Sequence, residues 1–188
     1  MIDQGIRLSF ISWLRSFCSD RRARVKLNNV FSKSYIFSQG LPQGSVLAPL
    51  LFLFYINDLA NKLPDDILNA LFADDVTLLA TERETKDAEA KVQNAVNIVN
   101  NWSKEWKISL NADKSETSGF SVWTNDNHEK WTPKITLGNK TLKDNPTPRL
   151  LGVILDRMLT FKPHLLTVKD KLQQSLRASK SVAHTEWG

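Results

Sequence analysis

Ile67-Leu68-Asn69-Ala70-Leu71-Phe72-Ala73-Asp74-Asp75-Val76-Thr77-Leu78-Leu79-Ala80 is the stretch that decides how this chain is read. Two β-prone apolar runs meet at adjacent carboxylates, the pattern of a hairpin with both acids at its tip. Adjacent carboxylates repel, and burying them unpaired is costly. A hard divalent cation resolves the conflict, because Mg²⁺ is commonly held by one or two carboxylates together with substrate phosphates. Metal-assisted phosphoryl or nucleotidyl transfer is therefore the leading chemistry. Taken alone, the Asp-Asp pair favours a plainer reading, an exposed acidic turn, so the surrounding sequence has to carry the argument.

Upstream of the hairpin, Gly40-Leu41-Pro42-Gln43-Gly44 reads as a loop. Ser45 is placed to cap an apolar helix running to about Asn61, with Pro49 tolerated in its first turn. The apolar run Val46 to Ile56 has about half the length needed to span a bilayer, and it reads as a buried helix. Further upstream, Ile6, Phe10, Trp13, Leu14 and Phe17 recur at helical spacing, which predicts a helix over residues 4–19. Arg22–Leu27 and Ser34–Phe37 read as strands around the polar turn Asn28-Asn29.

Downstream, Thr85–Trp106 is the clearest helix. Ala88, Val92, Ala95, Val96, Val99, Trp102 and Trp106 form one apolar stripe suited to packing on a sheet. Glu84, Lys86, Asp87, Glu89 and Lys91 read as its solvated start. Strands are expected at Ser118–Trp123, Lys134–Leu137 and Leu150–Leu155, with a polar turn over Asn125–Thr132. Asn145-Pro146-Thr147-Pro148 is a stiff connector, and Phe161 onward reads as a helical tail. Asn57 and Asp58 are expected to close the apolar helix. This order predicts an α+β fold with helices on one face of an antiparallel sheet, and an acidic hairpin tip opening into a cleft.

Composition agrees with a folded domain and permits a polyanionic partner without requiring one. The 188 residues include six Trp and nine Phe, enough for a real core, and carry a formal net charge of +5. Cys18 is the only cysteine, so no internal disulfide can form, and the three histidines are too scattered for a zinc site. Arg15, Arg21, Arg22, Arg24, Lys26 and Lys33 concentrate positive charge near the first strands. Lys162, Lys169, Lys171, Arg177 and Lys180 do so in the tail. Two basic zones around an acidic centre suit phosphate backbones held over a metal. For the tail, a solvated helix face is the plain alternative. No membrane partner is expected.

Several segments, in this order, resemble the reverse transcriptases of non-LTR (LINE-type) retrotransposons of the ingi and jockey kind. Gly40-Leu41-Pro42-Gln43-Gly44-Ser45-Val46-Leu47-Ala48-Pro49-Leu50-Leu51-Phe52 resembles the family's motif B, continued by Tyr55-Ile56-Asn57-Asp58-Leu59. Phe72-Ala73-Asp74-Asp75 is similar to motif C and Leu110-Asn111-Ala112-Asp113-Lys114-Ser115 to motif D. Leu150-Leu151-Gly152-Val153-Ile154-Leu155-Asp156 resembles motif E, the primer grip. Thr185-Glu186-Trp187-Gly188 is similar to a thumb motif of these elements. No single motif is decisive, but the series in order is specific.

The resemblance implies a partial polymerase palm over residues 1–156 and the start of a helical thumb over 157–188. It implies an RNA-directed DNA polymerase that adds dNTPs to a primer by two-metal nucleotidyl transfer, using Mg²⁺ or Mn²⁺ in its place. Asp74 becomes the main metal ligand, and Asp75 a second ligand or electrostatic support. Lys114 matches the lysine that protonates or steadies the leaving pyrophosphate, with an exposed surface lysine as the alternative. Leu41, Pro42, Gln43 and Gly44 lie beside nucleotide and template. Leu151 and Gly152 lie under the primer, with a plain core strand as the alternative for Leu151. Arg21, Arg22, Arg24, Lys162 and Lys169 are the expected phosphate-backbone contacts. Implied partners are an RNA template, a DNA primer and the remaining parts of the element's polyprotein. Nuclear action is implied only by the lifestyle of such elements.

One family feature has no match. Motif A supplies a further catalytic aspartate upstream of motif B, and nothing before Gly40 fits it: Asp3 lacks the context and Asp20 sits in a charged stretch. The chain is expected to begin just after that strand, which would also leave a sheet edge open beside the hairpin. Losing one ligand from a set that acts as a unit removes most of its catalysis, so the isolated chain is expected to have little or no polymerase activity. The competing reading is a catalytically inactive nucleic-acid-binding remnant of a decayed element.

Overall fold

In the computed structural model, residues 5–38, 40–121 and 131–182 are described. The fold is α+β: four helices and twelve short strands among these residues. Two compact units divide the chain, Met1–Leu63 with Asn69–Thr77, and Pro64–Leu68 with Leu78–Gly188.

The first unit opens with α1 (Leu8–Cys18), shorter than the expected 4–19. Its stripe stacks Phe10 on Trp13 and Trp13 on Phe17, at centroid distances of 5.7 and 5.3 Å. Leu14 is buried. The expected pair of strands is a hairpin in two stages. β1 (Arg21–Ala23) pairs antiparallel with β4 (Tyr35–Phe37), and β2 (Lys26–Leu27) pairs with β3 (Val30–Phe31) around Asn28-Asn29. Between the stages, Ser32 N–H donates to the Val25 carbonyl and Val25 N–H to Ser32 Oγ, each at 2.9 Å. Both asparagines have positive φ, 44° and 66°, as a two-residue hairpin turn of the I′ kind requires.

Helix α2 (Ala48–Lys62) carries the apolar run, with proline in its first turn. Ser45 does not cap the helix directly. Its Oγ accepts from Leu47 N–H at 3.2 Å, one turn ahead of the helix. The helix also outruns Asn57 and Asp58, which lie inside it. It stops at Leu63, whose ψ of 147° is the extended conformation that the following Pro64 imposes. The expectation of a buried helix is corrected. Ile56 and Leu59 are buried, but Leu50, Leu53 and Phe54 are exposed, so one face only is covered.

β5 (Leu68–Phe72) and β6 (Asp75–Leu79) form the expected hairpin. The second unit then turns on α3 (Thr85–Glu105), whose stripe behaves as its spacing demands: Ala95, Val99 and Trp102 are buried. Trp102 and Trp106 sit 6.2 Å apart. Helix α3 packs against β8 (Thr136–Leu137), which pairs with β9 (Lys140–Thr141) next to the buried Ile135 and Leu142. The Gln93 side chain fastens this contact. Its Oε1 accepts from Thr136 N–H at 2.7 Å, and its Nε2 donates to the Thr136 carbonyl at 2.9 Å.

β7 (Glu116–Thr117) and β10 (Lys143–Asp144) pair in parallel. β11 (Arg149–Leu150) and β12 (Val153–Ile154) close a hairpin, and α4 (Lys162–Val182) follows, in contact with β12.

Three expectations change here. Leu150–Leu155 is a hairpin rather than one strand. The strand expected at Ser118–Trp123 is replaced by β7 just before it, and residues 122–130, with most of the Asn125–Thr132 turn, lie outside the described residues. The expected single antiparallel sheet is six two-stranded sheets among the described residues. The strands are only two to five residues long, and tight turns close most of them on a neighbour in sequence.

Candidate active site

The hairpin tip is a two-residue connection, Ala73-Asp74, so Asp74 occupies the turn and Asp75 is the first residue of β6. Both carboxylates are exposed. Among the described residues no third strand pairs with β5 or β6. Ala73 has φ 50°, a left-handed conformation that costs an ordinary L-residue roughly 1–2 kcal/mol. Strain of this kind tends to gather at functional sites. The donor set fits one hard cation, because two adjacent carboxylates offer oxygen ligands and the rest of an octahedron can come from phosphate and water. Among the described residues no group of three or more acidic, histidine or cysteine side chains converges.

The loop ahead of α2 belongs to the same unit as this tip. Ser45 N–H donates to the Pro42 carbonyl at 3.2 Å, closing a turn with Gln43 and Gly44 at its centre. Gly44 has φ 84°, as the third position of a type II turn requires. A Cβ there would meet nothing within 4 Å, so backbone conformation rather than crowding calls for glycine. Leu41 and Pro42 are half-buried, whereas Gln43 is exposed. Arg21 steadies the start of this loop. Its Nη2 donates to the Gly40 carbonyl at 2.5 Å and its Nε to the Cys18 carbonyl at 3.1 Å. Arg22 and Arg24 are exposed on the neighbouring strand and loop.

The second unit holds the other expected residues. Lys114 is exposed on a turn built by Asn111, whose Oδ1 accepts from Asp113 and Lys114 N–H at 3.0 and 3.2 Å. The neighbouring Asp113 pairs with Lys140. Leu151 and Gly152 form the turn between β11 and β12, with φ 46° and 91°. Leu151 is 59% exposed, which removes the core-strand alternative. Lys162 and Lys169 are exposed on α4. The closing Thr185-Glu186-Trp187-Gly188 lies outside the described residues.

Four charged residues near these elements carry no functional signal in the sequence. Lys91, assigned by its charge pattern to a solvated helix start, bonds Asp66 at 2.7 Å and also pairs with Glu82. These bonds hold the Asp66 carboxyl below its usual range and raise the lysine above its own. Asp156 ends the motif E stretch and organises the approach to α4. Its carboxylate accepts from Thr160 N–H at 3.1 Å, Thr160 Oγ1 at 2.9 Å and Phe161 N–H at 2.7 Å. Desolvation pushes its pKa up, but those hydrogen bonds outweigh it and hold the group below 3.8.

A strained hairpin tip with paired acids, preceded by a glycine turn, inside an α+β chain fits a nucleotidyl-transfer domain. Residues 4–155 match the family described as Reverse transcriptase (RNA-dependent DNA polymerase), and the chain belongs to that family. Over 175 residues it is 29% identical to a "Probable RNA-directed DNA polymerase from transposon X-element" of Drosophila melanogaster, covering 92% of this chain and 19% of that protein. It is 27% identical over 180 residues to the "RNA-directed DNA polymerase from mobile element jockey" of the same species, covering 93% and 18%. With the corresponding protein from transposon BS, also of Drosophila melanogaster, it shares 31% identity over 170 residues, covering 87% and 18%. The chain thus spans about a fifth of the length of these relatives. The family read from motifs B to E is borne out.

Proposed function

We propose that this chain supplies the motif B to motif E part of an RNA-directed DNA polymerase of a non-LTR retrotransposon. In this reading residues 1–156 are part of the palm and 157–188 begin the thumb. The observation that carries it is the pair of adjacent, exposed carboxylates on a two-residue turn within the family match.

Asp74 is the principal ligand for Mg²⁺ or Mn²⁺, and Asp75 a second ligand or a fixed negative charge beside it. When bound, the cation offsets charge on the triphosphate and favours the primer 3′-oxygen as nucleophile. Gln43, exposed beside Gly44, can both donate to and accept from a base or nucleotide. Lys114, exposed on its turn, is the cation proposed for the leaving pyrophosphate. Leu151, exposed on its turn, offers an apolar surface to the primer sugar-phosphate chain. Arg22, Arg24, Lys162 and Lys169 provide phosphate contacts whose affinity falls steeply with salt. Arg21 shares that role less, because its guanidinium is engaged with backbone carbonyls. RNA template, DNA primer, dNTPs and the rest of the polyprotein are the partners.

Two-ion chemistry needs more carboxylates than this tip provides, which favours a second reading for the chain on its own: a nucleic-acid-binding piece without polymerase activity. Primer extension on an RNA template, with Mg²⁺ or Mn²⁺, separates the two. No extension is expected from the 188-residue chain. Extension is expected from a polypeptide continued upstream through a motif A aspartate, and Asp74→Asn with Asp75→Asn should reduce it about a thousandfold or more. Extension by the short chain itself would overturn the missing-ligand argument. No extension by the longer polypeptide would leave the inactive remnant as the better reading.

A further inference from the structure

The acidic hairpin has two feet, and one lysine reaches both. Asp66 lies two residues before β5, in the turn that Ile67 N–H closes on the Pro64 carbonyl at 3.0 Å. Glu82 lies three residues after β6. Lys91, near the start of α3, bonds Asp66 Oδ2 at 2.7 Å and pairs with Glu82 as well. All three belong to the same compact unit. Their side chains are 35% exposed for Lys91, 50% for Asp66 and 27% for Glu82, so the cation and one partner are mostly covered.

We propose that Lys91 is a positioning residue, tying both feet of the Asp74/Asp75 hairpin to α3 so that β5 and β6 stay paired beneath the carboxylates. A two-stranded hairpin is marginal alone, and this one carries a strained Ala73 at its tip. Ile67, buried at 3% exposure, anchors one foot through the core. The other foot has no residue buried as deeply: Leu78 and Ala80 are only half-buried, and Thr81 and Arg83 are exposed. A cation shared between the feet supplies the missing tie. Removing it leaves two carboxylates close together without their common counter-charge, so the base of the hairpin is expected to open more often. Arginine can keep both pairs, because it carries the same charge and more donors.

The inference rests on the reading of Asp74 and Asp75 as metal ligands only for its consequence, so the test has two arms on the full chain. In the first, backbone hydrogen exchange is compared at low salt for the wild type, Lys91→Ala and Lys91→Arg. Amides of β5 and β6 should exchange about two- to fivefold faster in Lys91→Ala, with Lys91→Arg restoring them and amides near Ala95 and Val99 unchanged. High salt should shrink the difference. Unchanged β5 and β6 exchange, or an equal acceleration throughout α3, would overturn the brace. In the second arm, Mn²⁺ binding is followed by loss of the free-ion electron paramagnetic resonance signal. Lys91→Ala should weaken binding by a similar factor and Lys91→Arg restore it. If Asp74→Asn abolishes binding while Lys91→Ala leaves it intact, the positioning role is wrong. If Asp74→Asn has no effect, the metal reading fails, and the exchange arm still decides the brace.

Discussion

Two of the hairpins that turn on two residues have opposite turn chemistry. Asn28-Asn29 joins β2 to β3 with φ of 44° and 66°, and asparagine is among the few L-residues that tolerate that region. Ala73-Asp74 joins β5 to β6 with alanine at φ 50°, where glycine is the usual choice. Their anchoring is reversed too. Around the asparagine turn, Leu27, Val30 and Phe31 are all more than half exposed, so burial contributes little. The acidic hairpin has a buried Ile67 at one foot and the Lys91 pairs joining both. A favourable turn lets a hairpin stand with little support, whereas an unfavourable one persists because its base is held. The β11–β12 hairpin likewise places a residue other than glycine or asparagine, Leu151 at φ 46°, in its turn.

The largest effect is expected where the turn does most of the holding. Asn28→Val combined with Asn29→Val places β-branched residues at two left-handed positions, a cost of roughly 2–4 kcal/mol. A short, exposed hairpin cannot absorb that. Amide protection over residues 26–31 should vanish, while the α3 amides stay protected. Retained protection would show that the turn is not what stabilises β2–β3.

Ala73→Gly probes the opposite case. Relieving the left-handed alanine should stabilise the β5–β6 hairpin by about 1 kcal/mol, less than the full strain because glycine also frees the unfolded chain. Slower exchange at β5 and β6 is the readout. Faster exchange would mean that the alanine methyl makes a compensating contact.

The same contrast explains what could be read in advance. Helix α3 was legible because periodicity and packing agree: the predicted stripe contains all of its buried apolar residues, Ala95, Val99 and Trp102. Asn28-Asn29 was legible because its residues name their turn. Leu150–Leu155 reads as one strand, not the hairpin it is, because the turn falls inside an apolar run, on a leucine whose propensity argues against it. The run in α2 reads as a buried helix because it is apolar all round, yet sequence cannot say how much cover a face receives. At the site, the acids and the Gly44 turn were visible as motifs. Lys91 was not, since a lysine among acids on a polar helix start looks the same whether it braces a hairpin or faces water. Arg21 likewise read as a phosphate contact, because its two carbonyl partners are distant or local backbone that no spacing rule reveals.

The smallest expected effect concerns acids of different duty. Asp74 and Asp75 are exposed at a tip, whereas Asp156 is committed to the backbone ahead of α4. Hydrogen bonds from Thr160 and Phe161 favour its charged form and depress its folded pKa below 3.8. A depressed carboxylate contributes stability that is present above its unfolded pKa and is lost as pH falls through the folded value. Protection of the Thr160 and Phe161 amides should therefore be constant from neutral pH down to about 4, and decline only in stronger acid. Asp156→Asn should lower that protection already at neutral pH and flatten its acid dependence, because the amide oxygen accepts more weakly and does not titrate. The same substitution at Asp74 should leave both amides untouched. Nuclear magnetic resonance exchange rates over that range check the wild type and both variants together, and an identical acid profile in wild type and Asp156→Asn would show that another group governs the start of α4.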